Sequence, residues 1–195
     1  MEEVFIKTKK ELWDWLKKNQ MQTESVWLIH YKFSSGKSDI TRDILVDYLL
    51  CFGWIDSVVG KVDEYRTKIR ISPRKPASVW SQINKDKIEK LTKDKLMQKQ
   101  GLKVIEISKQ KGTWDKPYLP QSKMVIPDDF IKLLKKKLNK DAYDFFKTFD
   151  RTNLYAVYYR LTVILDSKKR DEKMQFFIQQ FKNKKYFYPN KKGDC

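Results

Sequence analysis

Apolar residues recur along the chain with two distinct periods, and the switch between them predicts its elements. Residues 4–7 form a short strand candidate. Thr8-Lys-Lys-Glu11 then reads as a capping box, in which the Thr hydroxyl and the Glu carboxylate satisfy backbone donors reciprocally. Leu12, Trp13, Trp15 and Leu16 supply the apolar face of the helix behind it. Residues 26–33 are an almost continuous apolar run, which predicts a strand buried on both faces. Thr41 can cap a second helix, with Ile44, Leu45, Tyr48, Leu49 and Phe52 at helical spacing, and Gly53 suits its C-terminal stop. Residues 54–62 and 65–72 read as a hairpin around Val62-Asp-Glu64. Pro73 and Pro76 end the sheet, since proline cannot donate to the ladder.

From 78 to 111 the signal is helical. Trp80, Ile83, Ile88 and Leu91 are its first apolar positions, Leu102, Val104, Ile105 and Ile107 its second set, and Gly112 closes it. Residues 113–126, with Pro117 and Pro120, read as a linker that ends at Pro127, a proline suited to a helix start. Beyond it only helical patterns occur, carried by Phe130–Leu138, Tyr143–Phe149, Leu154–Leu165 and Met174–Phe181. The order β-α-β-α-β-β followed by helices predicts an α+β fold with a small all-helical C-terminal domain. The expected division is an α+β domain at 1–112, the linker at 113–126, the helical domain at 127–185 and a loose tail at 186–195.

Composition agrees with a packed protein: 41% hydrophobic and 14% aromatic residues provide a core. No apolar run reaches the length of a membrane span, and the first residues carry no secretory signal pattern. A cytoplasmic location is therefore expected. The two cysteines, Cys51 and Cys195, form no metal or redox spacing and are expected to stay reduced.

The net charge of +17 is unevenly spread. Residues 1–60 carry 8 basic and 9 acidic side chains, 61–112 carry 15 and 6, and 113–195 carry 19 and 10. Of the 42 basic residues 35 are lysine, as a solvated surface also uses. Such a field favours nucleic acid, anionic lipid or acidic protein as partner.

Few patterns point to catalysis or cofactors. His30 is the only histidine and lies in the apolar strand, so no zinc shell is expected. Cys51 sits on a helix that must be buried, which makes a Cys–His pair a weak candidate. Asp56 suits a structural cap or the orientation of a neighbouring base. Ser34-Ser-Gly-Lys-Ser38 lacks the first glycine and the spacing of a phosphate loop. No cofactor is expected.

The sharpest feature is Tyr65-Arg-Thr-Lys-Ile-Arg-Ile-Ser72. With period two, one face of this strand is apolar and the other presents Arg66, Lys68 and Arg70. Arg74 and Lys75 extend the basic run towards a helix expected to begin near Ser78. Arginine forks suit phosphate and carboxylate. The same face also fits an ordinary solvated surface with charge pairs to Asp56 or Asp63. Trp54, Tyr65 and Trp80 flank the strand and are either stacking rings or core. The basic stretch 132–140 is amphipathic and fits either an anionic membrane surface or a helix docked by its leucines.

Cys51-Phe-Gly-Trp-Ile-Asp-Ser57, Arg70-Ile-Ser-Pro-Arg-Lys-Pro76 and Ser78-Val-Trp-Ser-Gln-Ile-Asn84 together resemble the signature of the YdeI/OmpD-associated family. Gly53, Trp54, Ile55, Asp56, Ser57, Pro73, Trp80, Ser81 and Asn84 are the motif positions. The flanks resemble it too, at Trp13-Asp-Trp-Leu16, Val26-Trp-Leu28, Gly112-Thr-Trp114 and Ile126-Pro-Asp-Asp-Phe130. The resemblance implies a YjbR/CyaY-like antiparallel sheet with helices, no established reaction, and a role in protection against bacteriocins or antimicrobial peptides. A chain this basic repels cationic peptides, so protection is expected to act through an anionic intracellular partner, nucleic acid by preference. The enzymatic alternative requires Asp56, His30 and Arg70 to face one cleft.

Overall fold

A computed structural model describes residues 1–76 and 78–191 of the chain. They divide into two compact units, Met1–Pro117 and Tyr118–Cys195. The division falls inside the stretch read as a linker, where Thr113 is buried and its hydroxyl donates to the Ser108 carbonyl at 3.2 Å.

In the first unit, strand β1 (Glu3–Phe5) leads into helix α1 (Lys9–Lys18), strand β2 (Val26–Tyr31) and helix α2 (Arg42–Cys51). The hairpin β3 (Trp54–Lys61) and β4 (Arg66–Pro73) follows, then α3 (Gln82–Lys93) and α4 (Lys99–Gln110). Thr8 and Thr41 cap α1 and α2, accepting from the amides of Glu11 and Ile44 at 3.2 Å each. The Glu11 carboxylate reaches back one residue further than a capping box needs, to the Lys7 amide.

The fold is α+β, with strand order β1-β2-β4-β3. Pairs β2–β4 and β3–β4 are antiparallel, but β1 and β2 run parallel. The wholly antiparallel sheet expected from the resemblance is corrected to a mixed one, because α1 serves as a crossover and returns the chain in its starting direction. The continuous helical signal over 78–111 is likewise broken. α3 ends at Lys93, Lys95 takes a left-handed turn (φ 57°), and Trp80 lies ahead of the helix that Ser81 caps.

The core lies between the sheet and its helices. Val26, Leu28, Ile69 and Ile71 meet Leu12, Leu16, Leu45 and Leu49 there, all less than 5% exposed. Gly101 lets α4 lie against the end of α2. A Cβ at this position would stand 2.2 Å from the Cys51 carbonyl oxygen, so only glycine fits.

The second unit holds α5 (Asp128–Leu134), α6 (Lys140–Phe146), α7 (Arg151–Thr162) and α8 (Ser167–Lys182) around a phenylalanine-rich core of Phe130, Phe145, Phe146, Phe149, Phe177 and Phe181. The expectation of a loose tail is overturned for 186–191. Tyr186 and Phe187 pack on this core, and the side-chain Oδ1 of the buried Asn153 accepts from the amides of Phe187 and Tyr188 at 3.0 and 3.1 Å. Asp150 accepts from the Lys191 amide at 3.1 Å. Residues 192–195, with Cys195, lie outside the described residues.

Candidate functional site

Alternation along β4 places Arg66, Lys68 and Arg70 on the face opposite the buried Ile69 and Ile71. The register then assembles that face. Tyr31, Ile29 and Trp27 of β2 stand opposite Arg66, Lys68 and Arg70. Phe5 and Glu3 of β1 lie beside Ile29 and Trp27, and Ile55 of β3 faces Ser72. None of these apolar side chains belongs to the core cluster of the first unit. Trp27, Ile29, Tyr31 and Ile55 are half-buried, and Phe5 is 39% exposed. The run 26–33 was expected to be buried on both faces; it is covered on one only.

Cations sit among these rings. The Lys68 ammonium lies 5.0 Å from the Trp27 ring, Arg66 is 5.9 Å from Phe5, and Lys37 is 4.6 Å from Tyr65. Phe5 and Tyr31 meet edge to face at 5.4 Å. An open sheet presenting aromatic rings interleaved with lysine and arginine results, and two of its rings, Trp27 and Tyr31, come from the run 26–33 that the strand pattern assigned to a core.

The cations are partly balanced. Arg66 pairs with Asp63 at 2.6 Å and Lys68 with Glu3 at 3.0 Å, all four side chains being between 31% and 49% exposed. Asp63 is held below the usual carboxylate range first by its bond from Arg66. Arg70 has no ion pair among the described residues. Its Nη2 donates to the Ser25 hydroxyl at 3.3 Å, and its buried Nε has no partner. Glu2 and Glu24 share with Arg70 a cavity of about 510 Å³. Thus the acidic first 60 residues contribute carboxylates to the face that the basic strand builds, and the charge contrast along the sequence is softened in space.

Two sequence expectations fail here. Arg74 is not part of a cationic surface. It is 5% exposed, with its guanidinium 3.5 Å from the Trp80 ring centre and an Nη2 bond of 2.8 Å to the Val79 carbonyl. Lys75 is exposed beyond the strand end, and α3 begins at Gln82 instead of near Ser78. The flanking rings, which the sequence leaves as either stacking rings or core, divide between the two. Trp54 and Trp80 are each 1% exposed and belong to the core, which leaves Tyr65 alone of the three at the surface.

A family described as a domain of unknown function (DUF8412) matches residues 4–104, more than half of the chain. The chain belongs to that family. No curated protein and no solved structure matches it.

The DUF8412 segment takes in all of the sheet face except Glu3. It also takes in the motif residues, most of which fasten the sheet to its helices. Gly53 turns the chain after α2 with φ 75°, and its carbonyl accepts from the Arg74 amide at 2.9 Å. Trp54 packs edge to face on Trp15, and Trp80 does so on Trp114 at 5.1 Å. Asp56 pairs with Arg42 of α2. The Ser57 hydroxyl donates to the Arg70 carbonyl at 3.3 Å, Pro73 ends β4 opposite Trp54, and the Ser81 hydroxyl accepts from the Asn84 amide at 3.1 Å. Ile55, opposite Ser72, lies on the open face.

His30, Asp56 and Arg70 are not brought to one cleft. Asp56 and His30 point to the helix side of the sheet and Arg70 to the open side. His30 is 7% exposed and its pKa is lowered, first by burial; the Arg42 charge acts in the same direction, while the Tyr31 carbonyl bond opposes it. Cys51 is fully buried and its thiol is pushed up to about 12 by burial, so it carries no nucleophile.

The basic stretch 132–140 is not one helix. α5 stops at Leu134, a 3-10 turn occupies Lys137–Asn139, and the Asn139 amide group donates to the Leu133 carbonyl at 2.9 Å. A continuous amphipathic surface for lipid is therefore missing there. No helix among the described residues is long and apolar enough to cross a membrane.

Proposed function

We propose that this chain binds single-stranded nucleic acid across the open face of its sheet. The observation that carries the reading is the second face of β2 and its neighbours: Phe5, Trp27 and Tyr31 stand half-open among Arg66, Lys68 and Arg70. Unpaired bases stack on such rings while neighbouring cations track the phosphates, at about 1–3 kcal/mol per stacked base. A duplex offers no splayed base to a sheet of this kind, which favours single strands. The ion pairs do not block the surface. Half-exposed pairs contribute about 0–1 kcal/mol each, so a phosphate can replace Asp63 or Glu3 at little cost. The partner is taken to be intracellular. A protective role of the kind implied by the resemblance to the YdeI/OmpD-associated family would act through it.

The test is fluorescence anisotropy with labelled 12-nucleotide single-stranded RNA and DNA, titrated with the full chain at several salt concentrations. The triple variant Arg66→Ser/Lys68→Ser/Arg70→Ser should keep its fold by circular dichroism. Its log K against log salt should be flatter by about 2, the equivalent of three contacts at roughly 0.7 each for single strands. Equal binding by variant and wild type, or tighter binding of a duplex than of either single strand, would overturn the reading.

A further inference from the structure

On the helix side of the sheet lies a cavity of about 320 Å³, lined by His30, Phe33, Ile40, Arg42, Leu45, Val59, Thr67 and Ile69. Its wall is almost wholly apolar. Of its polar side chains, the Thr67 hydroxyl donates to the Gly60 carbonyl at 2.9 Å and Arg42 is engaged by Asp56. His30 differs. Its Nδ1 lies 2.7 Å from the Tyr31 carbonyl oxygen, and its Nε2 is buried without a partner.

The chemistry of that imidazole is determined by its partner. A carbonyl oxygen only accepts, so Nδ1 carries the proton. Burial lowers its pKa and so favours the neutral ring, in which Nε2 is an acceptor without a partner on the wall of an apolar cavity. Water satisfies such an atom poorly, because a held water needs two to four polar partners and this wall offers few. A molecule with one hydrogen-bond donor on an apolar body meets both demands at once.

We propose that this cavity is a binding site for a small, uncharged, mainly apolar alcohol or phenol whose hydroxyl donates to His30 Nε2. The volume admits roughly 10–15 non-hydrogen atoms at interior packing density. Phe33 and Val59, 60% and 57% exposed, form an apolar rim through which such a body can enter. The Arg42–Asp56 pair leaves no free charge in the wall to hold an anion, so a carboxylate is disfavoured. The site lies on the opposite side of the sheet from the nucleic-acid face, and neither proposal depends on the other.

The experiment is a titration of the 15N-labelled full chain with 4-isopropylphenol and, separately, with its methyl ether, followed by amide resonances. The phenol should shift the amides of Val59, Thr67 and Ile69. The ether, which has the same body without the donor, should bind about tenfold more weakly. His30→Phe should remove the phenol's advantage over the ether. Should that variant fail to fold, Val59→Trp at the exposed rim should close the entrance and abolish the shifts. Equal affinity for phenol and ether in the wild type, no shift with either probe, or shifts confined to the groove around Ile88, Leu102 and Trp114 would each overturn the assignment.

Discussion

The two faces of the sheet are made from alternate residues of the same strands, yet they do opposite things with similar side chains. On the helix side Trp54 and Trp80 are buried, and Arg74 is spent on holding Trp80. On the open side Trp27 and Tyr31 remain half-exposed, and Arg66, Lys68 and Arg70 face outward. An aromatic ring or an arginine therefore says little until its face is known. A covered ring stabilises the fold, whereas an uncovered ring beside a cation is available to a partner. The sharpest way to break this comparison is to truncate one ring on each side. Trp54→Ala should cost about 3–5 kcal/mol of unfolding free energy in urea titrations, as large-to-small core changes do. A loss below about 1 kcal/mol would mean that the covered face is not the structural one.

Trp27→Ala is the matched change on the open face. It should cost about 1 kcal/mol of stability, the scale of lost cross-strand contacts, and about 1–3 kcal/mol of affinity for a single-stranded oligonucleotide. Anisotropy and urea melts on the same sample separate the two. If stability falls as far as in Trp54→Ala while affinity is unchanged, the open ring is only a poorly covered core residue.

How far these faces were legible in the sequence differs by feature. Period-two alternation placed Arg66, Lys68 and Arg70 together, because a strand leaves no other choice. It could not place Arg74, which follows the last strand residue Pro73 and obeys no period. Its proximity to Trp80 depends on how the chain doubles back before α3. The run 26–33 carried the opposite error. Its continuous apolar character predicts two covered faces, although the same pattern arises when one face is kept apolar for a partner. The linear charge split misled for a related reason: β1 and the start of β2 bring Glu2, Glu3 and Glu24 to the strand that the later sequence makes basic. Strands and helices were local and readable. Which acid meets which base is tertiary and was not.

His30 extends the contrast to a titrating group on the covered side. An unfolded histidine titrates near 6.5, and burial holds this one lower in the fold, with the Arg42 charge adding to the effect. Between those two pKa values the unfolded chain binds more protons than the folded one. Unfolding free energy should therefore fall as pH drops below about 6.5, by at most about 1.4 kcal/mol per unit, and level off below the folded pKa. Because the chain has a single histidine, the slope between pH 6.5 and 5.5 should disappear in His30→Phe. Persistence of the slope in that variant would assign it to other groups.

The smallest effect tests the open face from its acidic side. Glu3 holds Lys68 at 3.0 Å, with both side chains well exposed to solvent. A nucleic acid that uses Lys68 must first compete with that carboxylate, whereas one that bypasses Lys68 does not. Glu3→Gln removes the competitor while keeping the shape and the backbone pairing of β1. Because an exposed pair contributes about 0–1 kcal/mol, affinity for a single strand at low salt should rise about two- to threefold. Because Lys68 already counts among the three contacts that the triple variant removes, the slope of log K against log salt should stay unchanged. Stability should change by less than about 0.5 kcal/mol, as for other surface substitutions. Unchanged affinity, with the triple variant still weakened, would move the contact to Arg66 and Arg70 and leave Lys68 as the partner of Glu3 alone.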